Sequence, residues 1–372
     1  MPRVRISAAR FGSLLTNRNM TPADIAERVK TSVSPESLAS TDMEVDFVDV
    51  LALAKLFKRP WSYLLIDEAE QYPSAGSDNR TFANRKVALS PDLLAELQAA
   101  ELMLEAAEEL FPGSTYTVPP ASGPGTPASG LASETRSLLG VSIDAQLATK
   151  DEFAALRLWV GAIHGQGVYV AQRRLHDATI RAFSKVLGEQ AVIIVDTGDT
   201  PYARIFSALH EYCHVTLRST GICDLDGHST IEQYCNTVAA EVLLPGGLLD
   251  NVVAADAFAG DDDAADEVLK ELSHQLHVSQ AALLIRLRDY GTISQDSYDA
   301  MEVRRSARRG RERKSKGGTY YPPAINQVGR LYAHRVVEAV TEGAIDRQDA
   351  SVLLGIGEHL VPTYMTELAK GD

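Results

Sequence analysis

Apolar residues recur at spacings of three and four before and within one stretch near the middle of the chain. There Ile205, Phe206, Leu209 and Cys213 mark a single buried face of a helix. No Gly or Pro interrupts that stretch after Pro201, a residue that suits the first helical turn. Just upstream, Ala191-Val-Ile-Ile-Val195 is a short apolar run that ends at Asp196-Thr-Gly-Asp. It reads as a buried strand and a turn leading into the helix. The segment from Ser229 to Leu244 predicts a second helix, closed by Pro245-Gly246-Gly247. Leu93, Leu94, Leu97, Ala100, Leu102, Leu104 and Leu110 mark an amphipathic helix over residues 85–110. Before it, residues 1–70 read as four or five short helices, one of them opening at Thr21-Pro-Ala-Asp24 with a cap, a proline and a first-turn acid.

Composition sets the frame for these elements. A chain of 372 residues is expected to hold two or three domains, and an apolar share of 45% permits proper cores. Phe111 to Gly130 is rich in Pro, Gly and Ser and reads as a linker. Arg304 to Gly318 carries eight basic residues and reads as a solvated connector or an electrostatic contact for nucleic acid or an acidic partner. The expected division is therefore residues 1–75, a helical connector and linker over 76–130, a central domain over 131–300, a basic connector over 301–318 and a helical tail over 319–372. No apolar run approaches a membrane span, and the three cysteines form no C-x-x-C pair, so a reduced cytoplasmic setting is expected. A net charge of -14 argues against wholesale nucleic-acid binding.

The chemistry lies in His210-Glu211-Tyr212-Cys213-His214. Residues four apart on a helix lie one turn apart on the same face, so His210 and His214 can hold one metal ion together. Glu211 is rotated from that face, yet near enough to take a proton from a water on the metal. Zinc brings the pKa of such a water to about 7, which gives a nucleophile at neutral pH. Catalytic zinc usually takes a third protein ligand. His214 is not followed by the Gly and third His of the metzincin pattern, so a distal carboxylate is expected. Glu232 is the first candidate, with Asn236 one turn on as an orienting side chain. Ser229-x-x-Glu232 also matches a helix capping box, and Glu241, His228, Asp224 and Asp226 stand as further candidates.

The run Arg204-Ile-Phe-Ser-Ala-Leu-His-Glu-Tyr-Cys-His214, followed by Ile231-Glu-Gln-Tyr-Cys-Asn-Thr-Val-Ala-Ala-Glu-Val-Leu-Leu-Pro245, resembles the ImmA/IrrE family of bacterial zinc metallopeptidases. Leu156-Arg157 with Gly167-Val-Tyr-Val170 resembles the strand that opens that fold. Arg181-Ala-Phe-Ser184 resembles the family's R-G-F-S segment, and His277 to Leu287 resembles its V-S-x-x-A-L-x-x-R-L helix. The likeness covers roughly residues 131–300. It departs at Tyr212-Cys213, Cys235 and Val238, none of which is a candidate ligand or base. The resemblance implies an α+β fold, mainly helical, with a zincin-like domain of a small sheet plus the HExxH helix. It also implies Glu232 as the carboxylate ligand and zinc as the cofactor.

Residues 1–70 resemble a Cro/repressor-type helix-turn-helix domain, which often precedes this peptidase and is expected to be all-α. Its expected reading segment, Ser34 to Asp42, has no basic residue and two acids, so DNA binding is doubtful and a protein-binding or dimerising module is the alternative. Asp78-Asn-Arg-Thr81 resembles a short family signature and is assigned no chemistry. The functional reading is a zinc endopeptidase with Glu211 as general base. The resemblance implies a helix-turn-helix repressor as substrate, cleaved to release stress-response or mobile-element genes. Arg181, Ala182, Phe183 and Ser184 are the candidate strand along which an extended substrate would lie. The alternatives are a zinc- or partner-sensing regulator with little proteolysis and the active half of a toxin–antitoxin pair.

Overall fold

The computed structural model describes residues 3–57, 61–69, 90–119, 125–177, 180–218, 230–253, 258, 262–309 and 321–370. The chain divides into two compact units, Met1–Met103 with Leu175–Asp177, and Leu104–Arg174 with Ala178–Asp372.

The first unit begins with β1 (Arg3–Ile6), α1 (Ala8–Asn17), α2 (Pro22–Arg28), α3 (Pro35–Ser40), β2 (Met43–Asp46) and α4 (Phe47–Phe57). Trp61–Leu65 forms a single 3-10 turn. The helix starts follow the local chemistry. Thr21 caps α2 in a reciprocal box with Asp24, and Pro22 and Pro35 stand in the first turns of α2 and α3. Ile6, Phe11, Leu14, Ile25, Val45, Val50, Leu53 and Phe57 close a core of their own. The expected short helices are present, but the region is not all-α, because β1 pairs antiparallel with β2 and sets Val4 against Val45.

The division falls within α5 (Pro91–Leu110), the amphipathic helix of the sequence. The second unit continues with α6 (Ala128–Leu139), α7 (Ile143–Leu147) and α8 (Glu152–Gly165). A sheet follows, made of β3 (Tyr169–Arg173), β4 (Ala182–Leu187) and β5 (Gln190–Asp196). Its order is β3-β5-β4, with β5 parallel to β3 and antiparallel to β4. Every residue of β5 is buried, as expected of a central strand covered on both faces. The β4–β5 hairpin turns at Gly188, whose φ of +54° is a conformation that L side chains rarely adopt. Then come α9 (Pro201–Thr216), α10 (Thr230–Leu243), α11 (Gly246–Val252), α12 (Asp262–Gln275), α13 (Gln280–Asp289) and α14 (Gln295–Arg309).

The last four helices are α15 (Tyr321–Val328), α16 (Arg330–Thr341), α17 (Arg347–Leu354) and α18 (Val361–Ala369). The joint between α15 and α16 lies against β3. A Cβ at Gly329 would fall 2.4 Å from the carbonyl oxygen of Val170, so only glycine fits there. Among the described residues no helix is long and apolar enough to cross a membrane. The described residues are mainly helical, with one small sheet in each unit.

Two expectations meet the limits of the described residues. Asp78 to Thr81 lies outside them, as do residues 310–318 of the basic run. Within that run Arg304 is held by Asp262 and Asp266, at 2.9 and 3.1 Å, and Arg305 pairs with Glu302.

Candidate metal centre

The site is built from the joint between β5 and α9. The chain leaves the sheet at Asp196, whose side chain accepts the Gly198 N–H at 3.0 Å. Thr200 caps the helix and Pro201 opens it. Arg181, just before β4, holds both oxygens of Asp199 at 2.7 and 2.8 Å. Arg204, in the first turn of α9, donates to the Asp199 carbonyl and to the Gln172 side chain, each at 3.0 Å. The start of the helix is thus pinned to all three strands before it reaches the histidines. Ile205, Ala208, Leu209, Tyr212 and Cys213 then seat it in the core with Trp159 of α8 and with Cys235, Val238 and Val242 of α10. The Tyr212 hydroxyl donates to the Thr117 carbonyl at 2.8 Å.

That placement brings three candidate ligands together. The Nε2 atoms of His210 and His214 are 3.1 Å apart. Oε2 of Glu232, in the first turn of α10, lies 3.2 Å from His210 Nε2, and Oε1 lies 3.4 Å from His214 Nε2. One ligand atom from each residue falls within 4.8 Å of the others, a spacing that can hold a metal ion. His210 and His214 are buried, and Glu232 is nearly so.

The electrostatics suit a cation. Burial disfavours the charged imidazole of His214, but the Glu232 hydrogen bond and the charges of Glu211 and Glu232 outweigh it and push its pKa up to about 9. Burial would likewise raise Glu232, yet its bonds to both histidines bring it down to about 2. Glu232 is therefore ionised at any physiological pH, as a ligand must be. Glu211 is 1% exposed, and neither carboxylate oxygen has a hydrogen-bond partner among the described residues. A buried, unpartnered carboxylate is costly. The donor set, with two imidazoles, one carboxylate and this second carboxylate beside them, fits a divalent metal and a water to be deprotonated.

The other sequence candidates separate cleanly. Glu241 is engaged by Arg286 at 3.0 Å, and Arg286 also bonds the Leu244 carbonyl at 2.7 Å, which ties the end of α10 to α13. Asn236 is half-buried, and its side chain makes no hydrogen bond among the described residues. His228, Asp224, Asp226 and the capping partner Ser229 lie outside those residues. Ala182, Phe183 and Ser184 open β4, which pairs only with β5 among the described strands and is therefore a sheet edge. Asp199, the anchor of both Arg181 and Arg204, was not singled out from sequence. Its only signal was its position in the turn ahead of Pro201.

A helix carrying two imidazoles one turn apart with a buried carboxylate next to the first, laid against a small sheet and met by a Glu from the following helix, is a metallopeptidase-like arrangement. Residues 164–288 match the family model Peptidase_M78, the IrrE N-terminal-like domain. The match runs from the end of α8 to α13 and contains all three candidate ligands and Glu211. It supports the ImmA/IrrE family and a metallopeptidase-like function for this part of the chain. No curated protein and no solved structure matches the chain.

Proposed function

We propose that the chain is a zinc-dependent endopeptidase. The observation that carries the reading is the convergence of His210, His214 and Glu232 beside the buried, unpartnered Glu211. His210 and His214 from α9 and Glu232 from α10 would hold the ion. Bound zinc would supply a Lewis acid that polarises the scissile carbonyl and acidifies a water molecule. Glu211 takes the proton of the attacking water and returns it to the leaving amide nitrogen. Its burial keeps that proton out of bulk solvent. A base of this kind has no purpose in a protein that only senses metal, which favours cleavage over sensing. The strand β4, which pairs only with β5 among the described strands, is the proposed platform along which an extended peptide pairs. A helix-turn-helix repressor is the proposed substrate. Incubation of the zinc-loaded chain with helix-turn-helix repressors from the same genome is the test, and repressors left intact throughout would refute that assignment.

Zinc uptake should release protons. Below pH about 9 the metal-free chain carries a protonated His214, which must lose its proton to ligate. Affinity should therefore rise about tenfold per pH unit from pH 7 towards pH 9 and then level off. Glu232, already ionised, adds no dependence in that window. Calorimetry in buffers of different ionisation heat measures the proton count, and an affinity flat between pH 7 and 9 would contradict the arrangement.

The first unit is proposed as a protein-binding or dimerising module. Its α3 carries Glu36 and no basic side chain to read base edges. The full chain should bind promoter and random duplexes equally weakly, with steep salt dependence. Neutralising Arg311, Arg313, Lys314 and Lys316 should remove most of that binding. Nanomolar discrimination between duplexes in an anisotropy titration would make the unit a DNA reader.

A further inference from the structure

A second polar group is buried without a partner on the same side of the sheet as α9. Ser184, in β4, is 4% exposed, and its hydroxyl has no hydrogen-bond partner among the described residues. Its direction follows from register. Ala182 pairs with Val195, Ser184 with Ile193 and Val186 with Ala191, and side chains directly opposite each other share a face. Ala182, Val195, Ile193 and Ala191 all belong to the core built with Ile205, Leu209, Tyr212 and Cys213 of α9, and Val186 packs against it. Phe183 and Ile194, one residue out of phase, point to the other face. The Ser184 hydroxyl is therefore turned towards the metal-bearing helix, from an outer strand that pairs only with β5 among the described strands.

We propose that the Ser184 hydroxyl is a substrate-binding group, donating a hydrogen bond to a backbone carbonyl of an extended peptide laid along β4. This rests on the peptidase reading and deepens it. A hydroxyl buried without a bond is a cost that an alanine of nearly the same shape avoids. It becomes useful when a ligand brings an acceptor to it. A peptide pairing with β4 brings a carbonyl at every residue. The placement resembles that of Glu211, a second polar group left unmatched until substrate and water arrive.

The test compares Ser184→Ala with the unsubstituted chain, both zinc-loaded, in three measurements. The first is thermal unfolding without peptide, where Ser184→Ala should leave Tm unchanged or raised. A Tm lowered by several degrees would mean that the hydroxyl holds the fold and would overturn the proposal. The second is kcat/KM on a pool of quenched-fluorescent decapeptides of random sequence, where a loss of about tenfold is expected. Equal values would overturn it. The third is capture of the same pool by the Glu211→Gln chain with and without Ser184→Ala, where the double variant should retain about tenfold less peptide. If the unsubstituted chain cleaves nothing, the peptidase reading fails alone, and the capture comparison still decides Ser184. Equal capture would overturn the role of the hydroxyl while leaving cleavage intact.

Discussion

Glu211→Gln should keep the metal and lose cleavage by about 10²–10⁴-fold, the usual contribution of a positioned general base. The amide has nearly the same shape and no basic oxygen, so proton transfer fails while the helix survives. Packing should hold, because the carboxylate accepts no hydrogen bond from the described residues whose loss could unseat it. The substitution should even stabilise the metal-free chain, since a neutral amide is less costly to bury than a carboxylate. That gain is offset in part, because the Glu211 charge helps hold the proton on His214. Metal content by atomic emission, turnover on a cleavable peptide and Tm are the three readouts. A variant with no metal would mean that Glu211 is a ligand, and one with full turnover would remove it from the mechanism.

The site was legible in the sequence because its signals are local. The two histidines and Glu211 sit within one and a half turns of one helix, and that helix announces itself through Thr200, Pro201 and the spacing of Ile205, Leu209 and Cys213. The apolar run at 191–195 was enough to place β5 because a central strand is buried on both faces. Glu232 needed more. Spacing alone left it beside Glu241 and a capping role, and only packing separates them, by sending Glu241 to Arg286 and Glu232 to the imidazoles. What stayed hidden is non-local. β1 and β2 are four-residue strands separated by three short helices and their turns, and neither has enough alternation to declare itself. The buried Gln146 amide, which bonds the carbonyls of Leu243 and Leu276 at 3.3 and 2.9 Å, joins segments about a hundred residues apart or more. Arg136 joins the same place by donating to the Val242 carbonyl at 2.5 Å. No periodicity reports such bonds. The same holds for Ser184, whose lack of a partner is a property of its surroundings.

Glu232→Ala should lower zinc affinity by more than about 100-fold. Loss of a partner that merely orients a ligand costs about 10–100-fold, and loss of the ligand itself must cost more. Two imidazoles remain, too few for a closed tetrahedral site with one open position. The metal-free chain should respond as well. Without Glu232, its hydrogen bond and charge no longer offset the burial of the His214 imidazolium, so that pKa should fall from about 9. Stability linked to that protonated pair is present below the unfolded histidine value of about 6.5 and is lost as pH rises through about 9. In Glu232→Ala this decline should shrink and move to lower pH. Glu241→Ala is the control on the same helix. It removes the partner of Arg286, which is 5% exposed but keeps the Leu244 carbonyl, so it should cost about 1–3 kcal/mol of stability and leave zinc affinity alone. Competition with a chromophoric chelator gives the affinities, and unfolding curves at pH 6 and pH 9.5 give the linkage. Zinc held within threefold of the unsubstituted chain by Glu232→Ala, or lost by a folded Glu241→Ala, would move the third ligand off Glu232.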